Sequence, residues 1–153
     1  MKLAIRICCW ICLVVYVLIL TKYLVLDRMH LMGYGYRSYN LLPFSSIKQY
    51  LYQKEHYNYH TWFMNLVGNF VMLMPLGLLL PLLHRYFRRT RNFIVFLIAT
   101  NISIEVLQYY SGLGSADIDD VIMNSAGAIV VYLLVRILLK ILNHGLNKEN
   151  DES

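Results

Sequence analysis

Four long apolar runs, 5–20, 63–83, 93–110 and 121–142, govern what this chain can fold into. A helix rises about 1.5 Å per residue, so crossing roughly 30 Å of hydrocarbon takes about 20 apolar residues. Each run approaches that length. Inside a bilayer every backbone N–H and C=O must find a partner without water, which selects helices over open strands for such runs. Composition agrees: 58% of the 153 residues are hydrophobic, 15% are charged and the mean hydropathy is +0.49, outside the range of soluble domains. The expected fold is an all-α membrane protein with four transmembrane helices, a membrane domain over 1–145 and a polar, disordered tail over 146–153.

Charge sets the expected orientation, because short cytoplasmic connections carry an excess of Lys and Arg. The connection after the second run holds Arg85, Arg88, Arg89 and Arg91, whereas the one after the third holds Asp117, Asp119 and Asp120 and no basic residue. With Lys2 and Arg6 before the first run and Arg136 and Lys140 ending the fourth, both termini are expected to be cytoplasmic and the Asp loop outside. The net charge of +5 does not indicate nucleic acid, since the cations punctuate apolar runs instead of clustering on a soluble face. Thr21, Lys22 and Tyr23 follow the first run without a small-residue cleavage pattern, so it reads as a retained anchor. Cys8, Cys9 and Cys12 within it read as small apolar residues.

The first outer loop carries Tyr34, Tyr36, Tyr39, Tyr50, Tyr52, Tyr57 and Tyr59, rings that settle at the headgroup level. Gly33 and Gly35 give a flexible approach to the segment NLLPFSSI at 40–47. There Pro43 ends any preceding helix, and Ser45 or Ser46 is expected to cap a short interfacial helix through Ile47, Tyr50 and Leu51. His56 and His60 are four apart beside Glu55, but the pattern lacks the ordered Glu of a zinc-protease helix; we read solvated histidines and assign no metal.

The polar residues within the apolar runs converge. Glu105 lies five residues, roughly 8 Å, below the outer end of the third run, with Asn101 and Gln108 on its face. A turn on Gly112 and Gly114 leads to Asp117, Asp119, Asp120 and then Asn124, followed by the small residues Ser125, Ala126, Gly127 and Ala128, which permit close helix packing. Asn65 and Asn69 lie four apart near the outer end of the second run, ahead of a kink expected near Pro75. All fall in the same leaflet, which predicts a shared polar pocket. Glu105, Asp117 and Asp120 are candidates for general acid–base work, or for gathering a hard divalent cation such as calcium or magnesium. No serine, cysteine or lysine nucleophile is evident in this constellation, and the Asp spacing is not that of an EF-hand. The plainer reading is an interhelical hydrogen-bond network, each bond worth about 0.6 kcal/mol in a membrane, with Asp119 and Asp120 as helix N-terminal acids.

NLLPFSSI from Asn40, GNFVMLMPLG from Gly68, EVLQ from Glu105 and DIDDVIMNSAG from Asp117, in this order, resemble the VanZ-like family of small bacterial integral membrane proteins. The family's characteristic polar positions fall on Asn40, Asn69, Glu105, Gln108, Asp117, Asp120 and Asn124. The chain departs from many relatives at Leu73, where they carry an aromatic, and at Gly114, Ser115 and Ala116, where they carry an arginine. The resemblance implies a multi-pass protein of the bacterial cytoplasmic membrane with a cell-envelope role, the name-giving member being linked to reduced susceptibility to teicoplanin. The expected partners are membrane lipids and a lipid-linked wall precursor or the acyl-bearing glycopeptide, met by a pocket of Asn40, Asn65, Asn69, Gln108 and Asn124. An intramembrane enzyme using Glu105 with Asp117 and Asp120 on a lipid-linked substrate is the alternative, and a structural or partner-binding subunit the third reading.

Overall fold

The computed structural model describes residues 3–26 and 38–151. Four helices have the length and apolarity to cross a membrane: Leu3–Leu26, Tyr59–Leu83, Thr90–Ser111 and Ile118–Ile141. We call them the first to fourth spans. Each coincides with one of the expected runs, so the chain is an all-α, multi-pass membrane protein. The stretch with Gly33, Tyr34, Gly35 and Tyr36 lies outside the described residues.

The second span is assembled from pieces: Tyr59–Phe63, a π-helical turn Met64–Gly68, Asn69–Met72, and Met74–Leu83 after a break at Leu73 (φ −100°, ψ 4°). Pro75 has no N–H to donate, so the ladder must open just before it. Leu76 N–H turns to the Leu73 carbonyl, and the Met72 carbonyl instead receives the Tyr16 hydroxyl of the first span at 2.8 Å. The helix Leu3–Thr21 of the first span has no buried residues and packs against the core cluster through Leu13, Tyr16 and Leu20, while Leu24 near the span's end is buried.

Packing centres on the second and fourth spans. The core is Leu73, Leu76, Leu80, Phe93, Leu97, Ala128 and Tyr132. A Cβ on Gly127 would stand 1.7 Å from the Phe70 carbonyl oxygen, and one on Gly77 2.3 Å from that of Ala128. These backbones therefore touch where only hydrogen fits, the close approach that small residues permit between helices in lipid. The third span joins through Phe93, stacked on Tyr132 at 4.1 Å with 3° between the planes. The outward faces, with Val95, Leu107, Leu134 and Ile141, stay exposed as a surface for acyl chains.

The chain is organised toward two chemically different ends. At the Asp end, the third span stops at Gly112, whose φ of 69° turns the backbone left-handed and lets Leu113 N–H reach the Gln108 carbonyl at 3.1 Å. A two-residue strand, Ala116–Asp117, then pairs in parallel with Tyr39–Asn40. This brings the short surface helix Ser45–Tyr52 onto the start of the fourth span. At the opposite end lie the turn Arg85–Arg88 and the continuation of the fourth helix. That helix runs to Asp151, through most of the tail expected to be disordered. Extending a formed helix adds one bond per residue with no new nucleation cost, and Leu146, Lys148 and Glu149 are good helix formers.

Candidate functional site

Asp119 decides how the Asp end is built. Its side chain is buried, with 1% exposed. Oδ1 accepts Phe44 N–H at 2.6 Å, and Oδ2 accepts Ser46 N–H at 2.7 Å and Ile47 N–H at 3.1 Å. The surface helix is thus capped by a carboxylate more than 70 residues away in sequence. Neither Ser45 nor Ser46 is its cap, contrary to the sequence expectation. The cap position falls on Phe44, at φ 63°, whose ring offers no acceptor. A carboxylate facing free N–H groups at the positive end of the helix dipole supplies both hydrogen bonds and charge compensation.

The serine released from capping turns inward. Ser46 Oγ–H donates to Asp117 Oδ2 at 2.5 Å, and Asn40 Nδ2 donates to Ser46 Oγ at 2.9 Å with Asp117 at 3.4 Å beyond it. Asp117 Oδ1 accepts the Asp119 N–H at 2.9 Å, and the Asp117 N–H donates to Glu105 Oε2 at 3.0 Å. Asn40, Ser46, Asp117, Asp119 and Glu105, from five separate elements, form one continuous network.

Beside that network a groove of about 360 Å³ opens between the third and fourth spans. Ile102, Val106, Tyr109, Ile118 and Val121 supply its walls, and Glu105 and Asp117 its polar end. Ile102 and Val106 are about half exposed on the lipid-facing side of the third span, so the groove is reached from among acyl chains. Glu105 itself is only 7% exposed.

The other predicted site residues lie elsewhere. Asn69 Nδ2 donates to Asp120 Oδ1 in a short bond between the second and fourth spans. Asn101, a buried residue, joins the third span to the fourth through Ser125 Oγ at 3.1 Å. Asn124, next to Ser125 in sequence, is buried, and its Oδ1 has no hydrogen-bond partner among the described residues. Gln108 lines a separate cavity of about 70 Å³ against Leu24 of the first span. Asn65, within the π-helical turn Met64–Gly68, donates back to the Thr61 carbonyl at 2.7 Å.

Tyr50 of the surface helix belongs to the same neighbourhood. Burial raises its phenol above the ordinary value, and Tyr57, Asp120 and Asp117 add to the shift. His56 and His60 are exposed, and among the described residues no group of three or more His, Cys, Asp and Glu is arranged to hold a metal ion. Chemically, then, the site offers two hydrogen-bonded carboxyl groups at the end of an apolar groove. It can accept hydrogen bonds from, or pair with the positive charge of, a head group whose tail lies along Ile102, Val106 and Val121.

No curated protein and no solved structure matches the chain. The model of one family, described as VanZ/LLP1, matches residues 6–139, a stretch that includes all four spans' cores and every residue of the groove. This chain belongs to the VanZ/LLP1 family.

Proposed function

We propose that the protein resides in the bacterial cytoplasmic membrane with both termini cytoplasmic, and that its groove binds a tail-bearing, membrane-borne molecule. That molecule is a lipid-linked wall precursor or an acylated glycopeptide, and its capture sustains envelope homeostasis or lowers susceptibility to teicoplanin. One observation carries the reading: the groove between the third and fourth spans has apolar walls reached from the lipid side and ends on Glu105 and Asp117. An ionisable group within a span is costly and is by default a functional site. A purely structural network has no use for an open groove leading to its carboxylates.

The test compares a strain lacking the protein with strains expressing wild type or Glu105→Gln at matched membrane levels. Glu105→Gln keeps shape and the acceptor for Asp117 N–H while removing ionisation. Wild type is expected to restore tolerance to teicoplanin, which bears an acyl chain, more than to vancomycin, and Glu105→Gln to restore neither. Full restoration by Glu105→Gln removes the ionised groove from the explanation.

The second reading, an intramembrane enzyme, is favoured by a specific contact, Ser46 Oγ–H pointing at Asp117 Oδ2 at 2.5 Å beside Glu105. Glu105 and Asp117, joined through the Asp117 N–H, then carry the acid–base work. Chemical turnover of a lipid-linked substrate that is lost in Ser46→Ala, with binding kept, separates it from capture.

A further inference from the structure

We propose that the Arg end of the bundle carries a second binding site, for the phosphate and one acyl chain of an anionic phospholipid. A cavity of about 450 Å³ lies there, lined by Arg88, Leu133, Arg136, Ile137, Leu139 and Lys140. Two of its cations are braced. Arg88 Nε donates to the Pro81 carbonyl at 3.0 Å, and Arg136 Nη1 to Thr90 Oγ1 at 2.5 Å. Each guanidinium keeps further N–H donors for an oxyanion, in a fixed fork suited to phosphate. Lys140 follows Arg136 by one helical turn on the same side.

Arg88 also borders a second cavity, of about 390 Å³, with Arg6, His84 and Arg85. Among the described residues no carboxylate lines either space. The acidic residues among those whose side chains are described, Glu55, Glu105, Asp117, Asp119 and Asp120, belong to the loop and span ends on the far side of the bundle. Glu149 lies nine residues beyond Lys140, roughly 13 Å along the helix. Five cations therefore meet at this end with no counter-charge among the described residues that line the cavities.

The apolar wall decides between a lipid and a soluble anion. Leu133 and Ile137 are 46% and 57% exposed directly beside Arg136, and Arg136 and Lys140 fall within the last turns of the span Ile118–Ile141. An anion arriving from water would leave that stripe uncovered. A phospholipid already in the leaflet places its phosphate at Arg88, Arg136 and Lys140 and an acyl chain along Leu133 and Ile137.

The experiment reconstitutes the full chain in nanodiscs and measures, by native mass spectrometry of the released protein, retained phosphatidylglycerol against phosphatidylcholine from an equimolar mixture. Wild type is expected to retain phosphatidylglycerol in excess. Near a membrane surface each Lys or Arg contributes roughly a five-fold factor, so Arg136→Gln with Lys140→Gln lowers the excess by about 25-fold. Arg89→Gln with Arg91→Gln removes the same charge from exposed positions outside the cavity and leaves the excess in place. An equal fall in both double variants, or no excess in wild type, overturns the proposal without requiring any variant to fold. Competition by dihexanoyl phosphatidylglycerol or inorganic phosphate as strong as by the long-chain lipid also overturns it, in favour of a soluble anion.

Discussion

Replacing Asp119 with alanine removes three acceptor contacts at once, and the structure says where the loss must fall. The carboxylate holds Phe44, Ser46 and Ile47 N–H at 2.6, 2.7 and 3.1 Å. A hydrogen bond to a charged group is worth about 1.5–3 kcal/mol net, and loss of an ordinary cap about 1 kcal/mol. Phe44 is 53% exposed, so water can replace its bond, whereas Ser46 and Ile47 are only partly exposed. The sum for Asp119→Ala is about 2–4 kcal/mol. The helix Ser45–Tyr52 has eight residues, too few to persist without its contacts, so the cost appears as local detachment and not as unfolding of the spans. Amide hydrogen exchange in nanodiscs reads this directly. Exchange over Ser46–Tyr50 should accelerate by about 30- to 1,000-fold in Asp119→Ala, with the amides of 93–101 unchanged. Asp120→Ala, which frees Asn69 but leaves the cap intact, should change Ser46–Tyr50 by less than about three-fold. If Asp119→Ala leaves those amides as protected as in wild type, the carboxylate is not what holds the helix, and the site built on it is wrong.

Three more outcomes follow from the packing and the site. Gly127→Ala puts a Cβ 1.7 Å from the Phe70 carbonyl oxygen and should destabilise by about 1–3 kcal/mol or more, while Gly68→Ala, whose nearest atom is 3.7 Å away, should be tolerated; thermal denaturation in detergent followed by tryptophan fluorescence separates them. Tyr16→Phe leaves the Met72 carbonyl of the kink without its 2.8 Å partner, at a cost of about 0.6–1.7 kcal/mol in the same assay, and should loosen the first span before the others. Because the Tyr50 phenol is raised above 10.0, the folded state keeps its proton where the unfolded chain loses it: its contribution is complete below pH 10.0 and declines as pH rises from there through the raised value. Absorbance near 295 nm, compared between wild type and Tyr50→Phe, should show that one tyrosine titrating late.

Where the chain meets lipid was written in the sequence. The four runs lie within the observed spans to within a few residues at most ends, because the demand for about 20 apolar residues acts on each segment independently of the rest. The glycine turn after the third span and the break before Pro75 were equally legible, since φ freedom and a missing N–H are local properties. The convergence of Glu105 and Asp117 was half legible: both were placed near one outer end, but the bond between Asp117 N–H and Glu105 required the strand Ala116–Asp117 to lie across the end of the third span.

Tertiary structure alone decided the rest. Asp119 read as a helix-terminal acid of its own span, yet it caps another helix, because the parallel pairing of Tyr39–Asn40 with Ala116–Asp117 sets the register that brings Phe44 to it. Ser46 read as a cap and is instead a donor to Asp117, since the cap was already supplied. Asn65 and Asn69 lie four apart, but their bonds diverge in space: Asn69 reaches Asp120 of the fourth span, while Asn65 donates back to the Thr61 carbonyl of its own span. Hydropathy fixes which residues leave water one segment at a time. Which carboxylate meets which donor depends on the register between segments tens of residues apart, and only packing such as that of Gly77 and Gly127 against neighbouring backbone sets that register.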